Sequence, residues 1–358
     1  MPIKAADPVT QMSWGQAAGG EFSHQAVYYR APDGYLGAVL PFVRAGLARS
    51  EPMLVAVPPT AARLLRSALA RPGDDGTSDD RTSDNGISYN GISDNGTSED
   101  GSAGGVTFAD MTELGRNPGR IISAVWEFIS RHAGRPVRFI GEPLWPARTA
   151  AEAREAVRHE ALINVAFAGA PVAVLCPYDV AALAPRIVAS AGHTHPLIGT
   201  LAEPRPSPDY DGGRVPRTSA RPLPRPPARA EHLAYRGDLR PVRDFVTRFA
   251  QRSGLDPDRA ADLVLAVGEL AANTLRHTSG GGVVSAWRAP GEVICQVTDQ
   301  GRISDPLVGR RRPPDASGLG IWVVHQVCDL VELRSGPGGT VVRMHMLLDG
   351  VPAMGGKP

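Results

Sequence analysis

The stretch VGELAANTLRHTSGG, Val267–Gly281, decides how the C-terminal third of the chain is read. Extended back to Pro257 and plotted at about 100° per residue, it puts Leu263, Val267, Leu270 and Thr274 on one side of a helix, with Val264, Ala271 and Leu275 adjoining. That is a broad face to bury. Asp262, Glu269, Asn273 and Arg276 fall on a separate narrow edge, so Glu269 and Asn273 project together one turn apart. Taken alone, a capped or solvated polar pair explains this edge as well as a functional one does. The glycines after His277 end the helix and let the chain turn back.

Working outward, EVICQVTDQG alternates as a strand does and delivers Asp299 and Gly301 at its end. ASGLGIWVVHQVCDLVEL then opens a helix behind Gly318 and Gly320, and SGPGGTVVRMHML reads as a closing strand entered through Gly338, Gly339 and Thr340. Each piece suits a nucleotide. A carboxylate such as Asp299 can accept from the exocyclic amine of adenine, and glycines at a helix start leave amides for phosphates. An asparagine oxygen is a hard neutral ligand for Mg²⁺, and a glutamate one turn away can orient or deprotonate an attacking hydroxyl.

In this order the motifs resemble the GHKL ATPase superfamily over about residues 235–348, most closely its anti-sigma-factor serine/threonine kinases. Glu269-x-x-x-Asn273-x-x-x-His277 resembles the N box, Asp299-x-Gly301 the adenine-reading box and Ser317-Gly318-Leu319-Gly320 the lid box. The resemblance implies a two-layer α/β sandwich that binds ATP and Mg²⁺, with Asn273 holding the metal, Glu269 as base and Asp299 reading adenine. It also places His277, Gly301, Gly318, Gly320 and Thr340 around the nucleotide. Its implied partners are a sigma factor and a STAS-type anti-anti-sigma antagonist phosphorylated on Ser or Thr; a homodimer is compatible, and neither nucleic acid nor membrane is expected. Two departures stand out. Ile303, beside Arg302, occupies the position where the family usually has a second glycine. The lid from Ile303 to Ala316 is short, and its Arg310, Arg311 and Arg312 either reach the γ-phosphate or form a solvated turn. Two alternatives stay open: a sensor histidine kinase using His159-Glu160, and a module that binds nucleotide without transferring phosphate.

The first two hundred residues alternate short β-rich runs (HQAVYY, MLVAVP, VTFAD, VRFIG, PVAVLC) with helical stretches, which predicts a doubly wound, mostly parallel sheet. Ligands of such sheets bind at the carboxyl ends of the strands, where Arg30, Asp33, Glu142, Trp145, Tyr178 and Asp179 lie. The segments HQAVYYRAPDGYLGAVLPFVRAGL, FIGEPLW, RHEALINVAF and LCPYD resemble the MEDS sensory domain, a RecA-like α/β module without a working P-loop. The organisation expected is a flexible N-terminus at 1–21, a sensory domain at 22–200, a Pro/Arg-rich linker at 201–233, an ATP-binding domain at 234–350 and a tail at 351–358. Within the sensory domain, residues 73–105 carry a five-residue repeat marked by Gly86, Gly91, Gly96 and Gly101, too polar to offset the ordering of its backbone. It is read as a disordered acidic insertion; a calcium-binding repeat is the alternative, although its spacing is not the nonapeptide type.

Bulk properties bound these readings. With 358 residues, 42 % of them apolar, the chain can bury two cores, and a net charge of +1 gives no general attraction to nucleic acid or anionic lipid. Cys176, Cys295 and Cys328 are far apart among apolar neighbours, which suits buried thiols in a reducing cytoplasm. Lysine occurs only at Lys4 and Lys357, so a GxxxxGK[ST] phosphate loop is excluded. No signal sequence or membrane span is read.

Overall fold

Two different strand periodicities become two different sheets. The computed structural model describes residues 21–30, 34–70, 105–212, 221–313 and 318–348. In chain order the first part comprises β1 (Ser23–Tyr29), α1 (Gly34–Ala48), β2 (Met53–Val57), α2 (Pro59–Leu69), β3 (Val106–Asp110), α3 (Met111–Leu114), α4 (Ile121–Arg131), β4 (Val137–Gly141), α5 (Ala150–Ala166), β5 (Val172–Asp179), α6 (Pro185–Thr194), β6 (Leu197–Gly199) and β7 (Pro204–Pro206). The second part comprises β8 (Glu231–Tyr235), α7 (Arg240–Arg252), α8 (Pro257–His277), β9 (Gly282–Ala289), β10 (Glu292–Asp299), α9 (Leu319–Val327), β11 (Leu330–Gly336) and β12 (Gly339–Leu347). The chain divides into two compact units: Met1–Thr112, Glu127–Trp145 and Ile163–Arg214 in one, Glu113–Trp126, Pro146–Leu162 and Val215–Pro358 in the other.

In the first unit the sheet order is β3-β2-β4-β5-β1-β6-β7, parallel except for β7. Every residue of MLVAV in β2 and VRFIG in β4 is buried, as expected of central parallel strands covered on both faces. Tyr35, Val39, Phe42 and Val43 of α1 and Ala61, Ala62 and Leu65 of α2 pack with Val27, Met53, Val55, Val57 and Phe108 on one face. Arg138 enters this interior because Glu51 pairs with it, while the Phe42 carbonyl accepts from it at 3.1 Å. The five strands expected from sequence are all present. Two three-residue strands follow, β6 beside β1 and β7 at the edge, and β7 extends the sheet into the stretch read as linker, its prolines sitting where an edge tolerates them. Asp33 and nearly all of the 73–105 repeat lie outside the described residues.

The second unit is an antiparallel sheet, order β11-β12-β10-β9-β8, with α7, α8 and α9 on one face. Alternation decides which side chains meet the helices. Val293, Cys295 and Val297 of β10 and Val342, Met344 and Met346 of β12 join Leu263, Val267 and Leu270 of α8 in the core. Asp256 caps α8, accepting from Asp258 N at 2.9 Å and Arg259 N at 3.5 Å, and Pro257 follows at the first helical position. At the other end of the helical layer, Asn117 and Arg120 donate to the carbonyls of His325 and Cys328, each bond between 2.9 and 3.3 Å, and close the C-terminus of α9. The three cysteines are buried and joined in no disulfide. Among the described residues no helix is long and apolar enough to cross a membrane.

The opposite face of this sheet is buried but polar. Arg343 donates to Gln296 at 3.1 and 2.7 Å, and Glu332 accepts from Arg154 at 3.1 Å. Burial disfavours a charged His345 ring, yet hydrogen bonds to Glu292 (2.9 Å) and Glu332 (3.3 Å) prevail and raise it to about 9. A raised histidine stabilises fully below its unfolded range, and that stabilisation is lost as pH rises through the folded value. The thermal midpoint is therefore expected to fall from about pH 7 to about pH 10, with a shallower fall in His345→Gln, which is also less stable at neutral pH by roughly 1–3 kcal/mol. Thermal melts across this range check both.

Candidate functional site

One broad face of α8 is committed to packing, and the polar edge beside it sets the site. Glu269 and Asn273 are half-buried on that edge. Gly320, in the first turn of α9, comes so close that a Cβ there would stand 2.9 Å from Glu269 Oε2 and 3.2 Å from Asn273 Nδ2. Gly318, the N-cap of α9, provides no side chain to cap the helix, so no side-chain hydrogen bond from that position takes up its first amides. The edge that carries Glu269 and Asn273 thus meets Gly320, while Gly318 lies against Pro313. Asn273 Oδ1 accepts from the exposed Arg276 guanidinium at 3.0 Å, so this oxygen already faces a cation. A neutral oxygen beside a carboxylate, with the space a missing Cβ leaves, fits a hard divalent ion shared with phosphates.

Asp299 is tied to the same helix. Its Oδ2 accepts from Thr274 Oγ1 at 2.7 Å and its Oδ1 from Gly301 N at 2.7 Å. Thr340 Oγ1 donates to Gly301 O at 2.8 Å and meets Ser335 Oγ at 2.8 Å, and Ser335 Oγ accepts from Ile303 N at 2.8 Å. Gly339 has φ +106°, and a Cβ there would lie 2.1 Å from the Asp299 carbonyl oxygen, so no other residue fits this turn. Ile303 now has a physical reason. Its amide is held by Ser335 while its side chain packs on the core. Sequence reasoning assigned no role to Thr274 or Ser335; a threonine inside an apolar helical face, facing a strand that ends in aspartate, was the available signal for the first.

The remaining residues are placed as follows. His277 is exposed at the last position of α8. Arg310 neither projects as a free lid arginine nor lies in a solvated turn: it is 4 % exposed and pairs with Glu155 at 3.1 Å, which Arg334 also binds at 2.7 Å. Arg311 lies over the Trp126 ring at 4.1 Å and Arg312 over Trp322 at 5.4 Å. Asp262 pairs with Arg259. Ser317 lies outside the described residues. His159, the histidine of the sensor-kinase alternative, is buried with Glu160 on α5.

In the first unit, Glu142 and Asp179 come together at the carboxyl ends of the strands, with Tyr29 added by the structure. Tyr29 hydroxyl donates to Glu142 Oε1 at 2.6 Å, and Tyr29 pairs in register with Asp179 across β1 and β5. Burial pushes the Glu142 carboxyl up to about 8; the Tyr29 bond opposes this and the Asp179 charge adds to it. Tyr35 stacks edge-on against Tyr29 at 5.2 Å, and burial raises both phenols above their ordinary range. Tyr178 is buried, Trp145 half-buried and Arg30 exposed.

No curated protein matches this chain. Among solved structures it is similar to the RsbU and RsbW domains of Rv1364c from Mycobacterium tuberculosis, with 23 % identity over 35 % of this chain and 34 % of that one and a TM-score of 0.27. It is also similar to the Acinetobacter baumannii histidine kinase AdeS, with 14 % identity over 34 % of this chain and 68 % of that one and a TM-score of 0.23. The chain thus spans about a third of the length of the Rv1364c structure, 34 %. Residues 23–196 match the MEDS family, the methanogen/methylotroph, DcmR sensory domain, and residues 233–346 match the histidine kinase-like ATPase domain, so the chain joins a MEDS module to an ATP-using, kinase-like ATPase module.

Proposed function

We propose that the C-terminal module is a serine/threonine protein kinase of the anti-sigma type, governed by what the MEDS module binds. The observation that carries this reading is the convergence of Glu269, Asn273 and Gly320, with Asp299 pinned to the same helix through Thr274. Asp299 accepts from the adenine amine, and the first amides of α9 receive phosphate oxygens. Asn273 would hold Mg²⁺ through Oδ1, the oxygen that Arg276 now meets, and the ion would supply charge neutralisation to the phosphates. Glu269 takes the proton of a Ser or Thr hydroxyl as its oxygen attacks the γ-phosphorus, the bond to the β,γ-bridging oxygen breaks, and ADP leaves. The acceptor is an anti-anti-sigma antagonist: phosphorylation releases it, and the regulator is left free to hold a sigma factor. Buried His159 and Glu160 favour this over a histidine phosphoacceptor on α5.

Transfer of labelled phosphate from ATP to candidate antagonist proteins tests the reading. Acid-stable label on a separate protein is expected, reduced roughly 10²–10⁴-fold in Glu269→Ala while ATP still binds. Acid-labile label on this chain would replace it with a histidine kinase, and ATP binding without any transfer with a nucleotide-gated clamp. Asp299→Asn is expected to weaken ATP binding about ten- to a hundredfold by loss of a charge-assisted bond, measured by titration calorimetry. In the MEDS module, difference infrared spectroscopy from about pH 6 to about pH 9 should show a protonated carboxyl that disappears near pH 8 and is missing in Glu142→Gln.

A further inference from the structure

We infer that the first unit holds a transition-metal site of the zinc class, with His24, Cys176 and His195 as ligands. None of the kinase chemistry uses these residues. His24 lies on β1 and Cys176 on the adjoining β5, where Ala26 is the register partner of Cys176. Residues two apart on a strand share a face, so His24 and Cys176 project from the same side of the sheet. His195, the C-cap of α6, brings its ring to 3.9 Å from the His24 ring. All three residues are fully buried, and their ligand atoms lie within 4.8 Å of one another.

The hydrogen bonds around the cluster fix both imidazoles in the ligating tautomer. The Thr194 carbonyl can only accept, so the Asn164 atom 2.7 Å from it is the amide nitrogen Nδ2. Asn164 Oδ1 then faces His24 Nδ1 at 3.1 Å, which places the proton on Nδ1. The lone pair of His24 Nε2 is thereby directed at Cys176 Sγ, 3.4 Å away. His195 is set in the same way: its Nδ1 lies 3.0 Å from the Ala191 carbonyl, so that nitrogen carries the proton and Nε2 the lone pair. A ring N–H given to a carbonyl while the other nitrogen turns inward is the outer-shell arrangement of metal-binding histidines.

The spacing agrees. With Zn–N near 2.0 Å and Zn–S near 2.3 Å, a tetrahedral site separates nitrogen from sulfur by roughly 3.5 Å. The separation between His24 Nε2 and Cys176 Sγ is 3.4 Å, and a ring nitrogen of His195 lies within 4.8 Å of the other ligand atoms. Two imidazoles and a thiolate select Zn²⁺ or a neighbouring borderline ion such as Co²⁺ over Mg²⁺ or Ca²⁺. Binding exchanges the Cys176 thiol proton for the metal, so loading releases a proton.

The test uses the full chain, purified without chelator from zinc-containing medium and separately from cobalt-supplemented medium. The expected result is one equivalent of metal per chain and, in the cobalt form, a thiolate-to-cobalt charge-transfer band. Cys176→Ala and His24→Ala should lose at least nine-tenths of the metal, with circular dichroism confirming the fold. Should a variant fail to fold, the wild-type cobalt spectrum still decides, because the band requires a sulfur ligand. A folded wild-type chain with neither metal nor band overturns the site, as does full metal retention by a folded Cys176→Ala chain.

Discussion

The hydrogen bond from Thr274 to Asp299 is the constraint on which the C-terminal unit's chemistry depends. It joins the middle of α8 to the end of β10, and so fixes the helix that carries Glu269 and Asn273 against the strand end that carries the carboxylate. From Asp299 the order spreads through Gly301, Thr340 and Ser335 to Ile303, each link a bond of 2.7 or 2.8 Å. Gly339 belongs to the same constraint, because the Asp299 carbonyl occupies the volume where a Cβ would stand. A network in which polar atoms meet partners is rigid, and rigidity is what the proposed transfer asks of the helix that carries Glu269 and Asn273.

Much of this was legible in the sequence for a simple reason. A helix buried on a broad face and a strand buried on one side both write their period into the apolar residues, as Leu263, Val267 and Leu270 do on α8 and Val293, Cys295 and Val297 do on β10. Residues stranded off those patterns, Glu269, Asn273 and Asp299, then stand out. What stayed hidden was pairing over long sequence separation. Nothing local marks Glu155 as the partner of Arg310 and Arg334, or Asn117 as the group that closes α9. The short strands β6 and β7 were missed because three residues cannot display a period of two, and in β7 two prolines argued against a strand.

The polar face of the second sheet explains why a lid arginine can be buried at all. A guanidinium out of water is unfavourable unless its charge is met, and Glu155 meets two at once. Burial nevertheless pulls Arg310 down to about 10. Replacing such a triad by apolar side chains can leave stability unchanged, so the ion pairs are read here for the arrangement they hold and not for a gain in stability. Here that arrangement anchors the chain immediately before the lid box, through Arg310 on one side of Glu155 and Arg334 of β11 on the other.

Two buried glutamates show how far surroundings override residue type. Glu142 rises to about 8, whereas Glu332 falls to about 2. Burial pushes both upward, so the difference comes from what each carboxyl faces. Glu332 meets the His345 ring and the Arg154 guanidinium, and those positive partners outweigh burial. Glu142 meets a phenol and the negative Asp179, and burial prevails. The first arrangement fastens a strand face and leaves nothing to titrate near neutrality. The second keeps a carboxyl protonated at neutral pH beside two tyrosines at the carboxyl ends of parallel strands. A group held so close to its own transition is poorly suited to structural work and well suited to answering a change in its surroundings. At the strand ends of the MEDS module a carboxyl thus keeps its proton beside two phenols, whereas on the sheet of the ATPase module a carboxyl is ionised between positive partners.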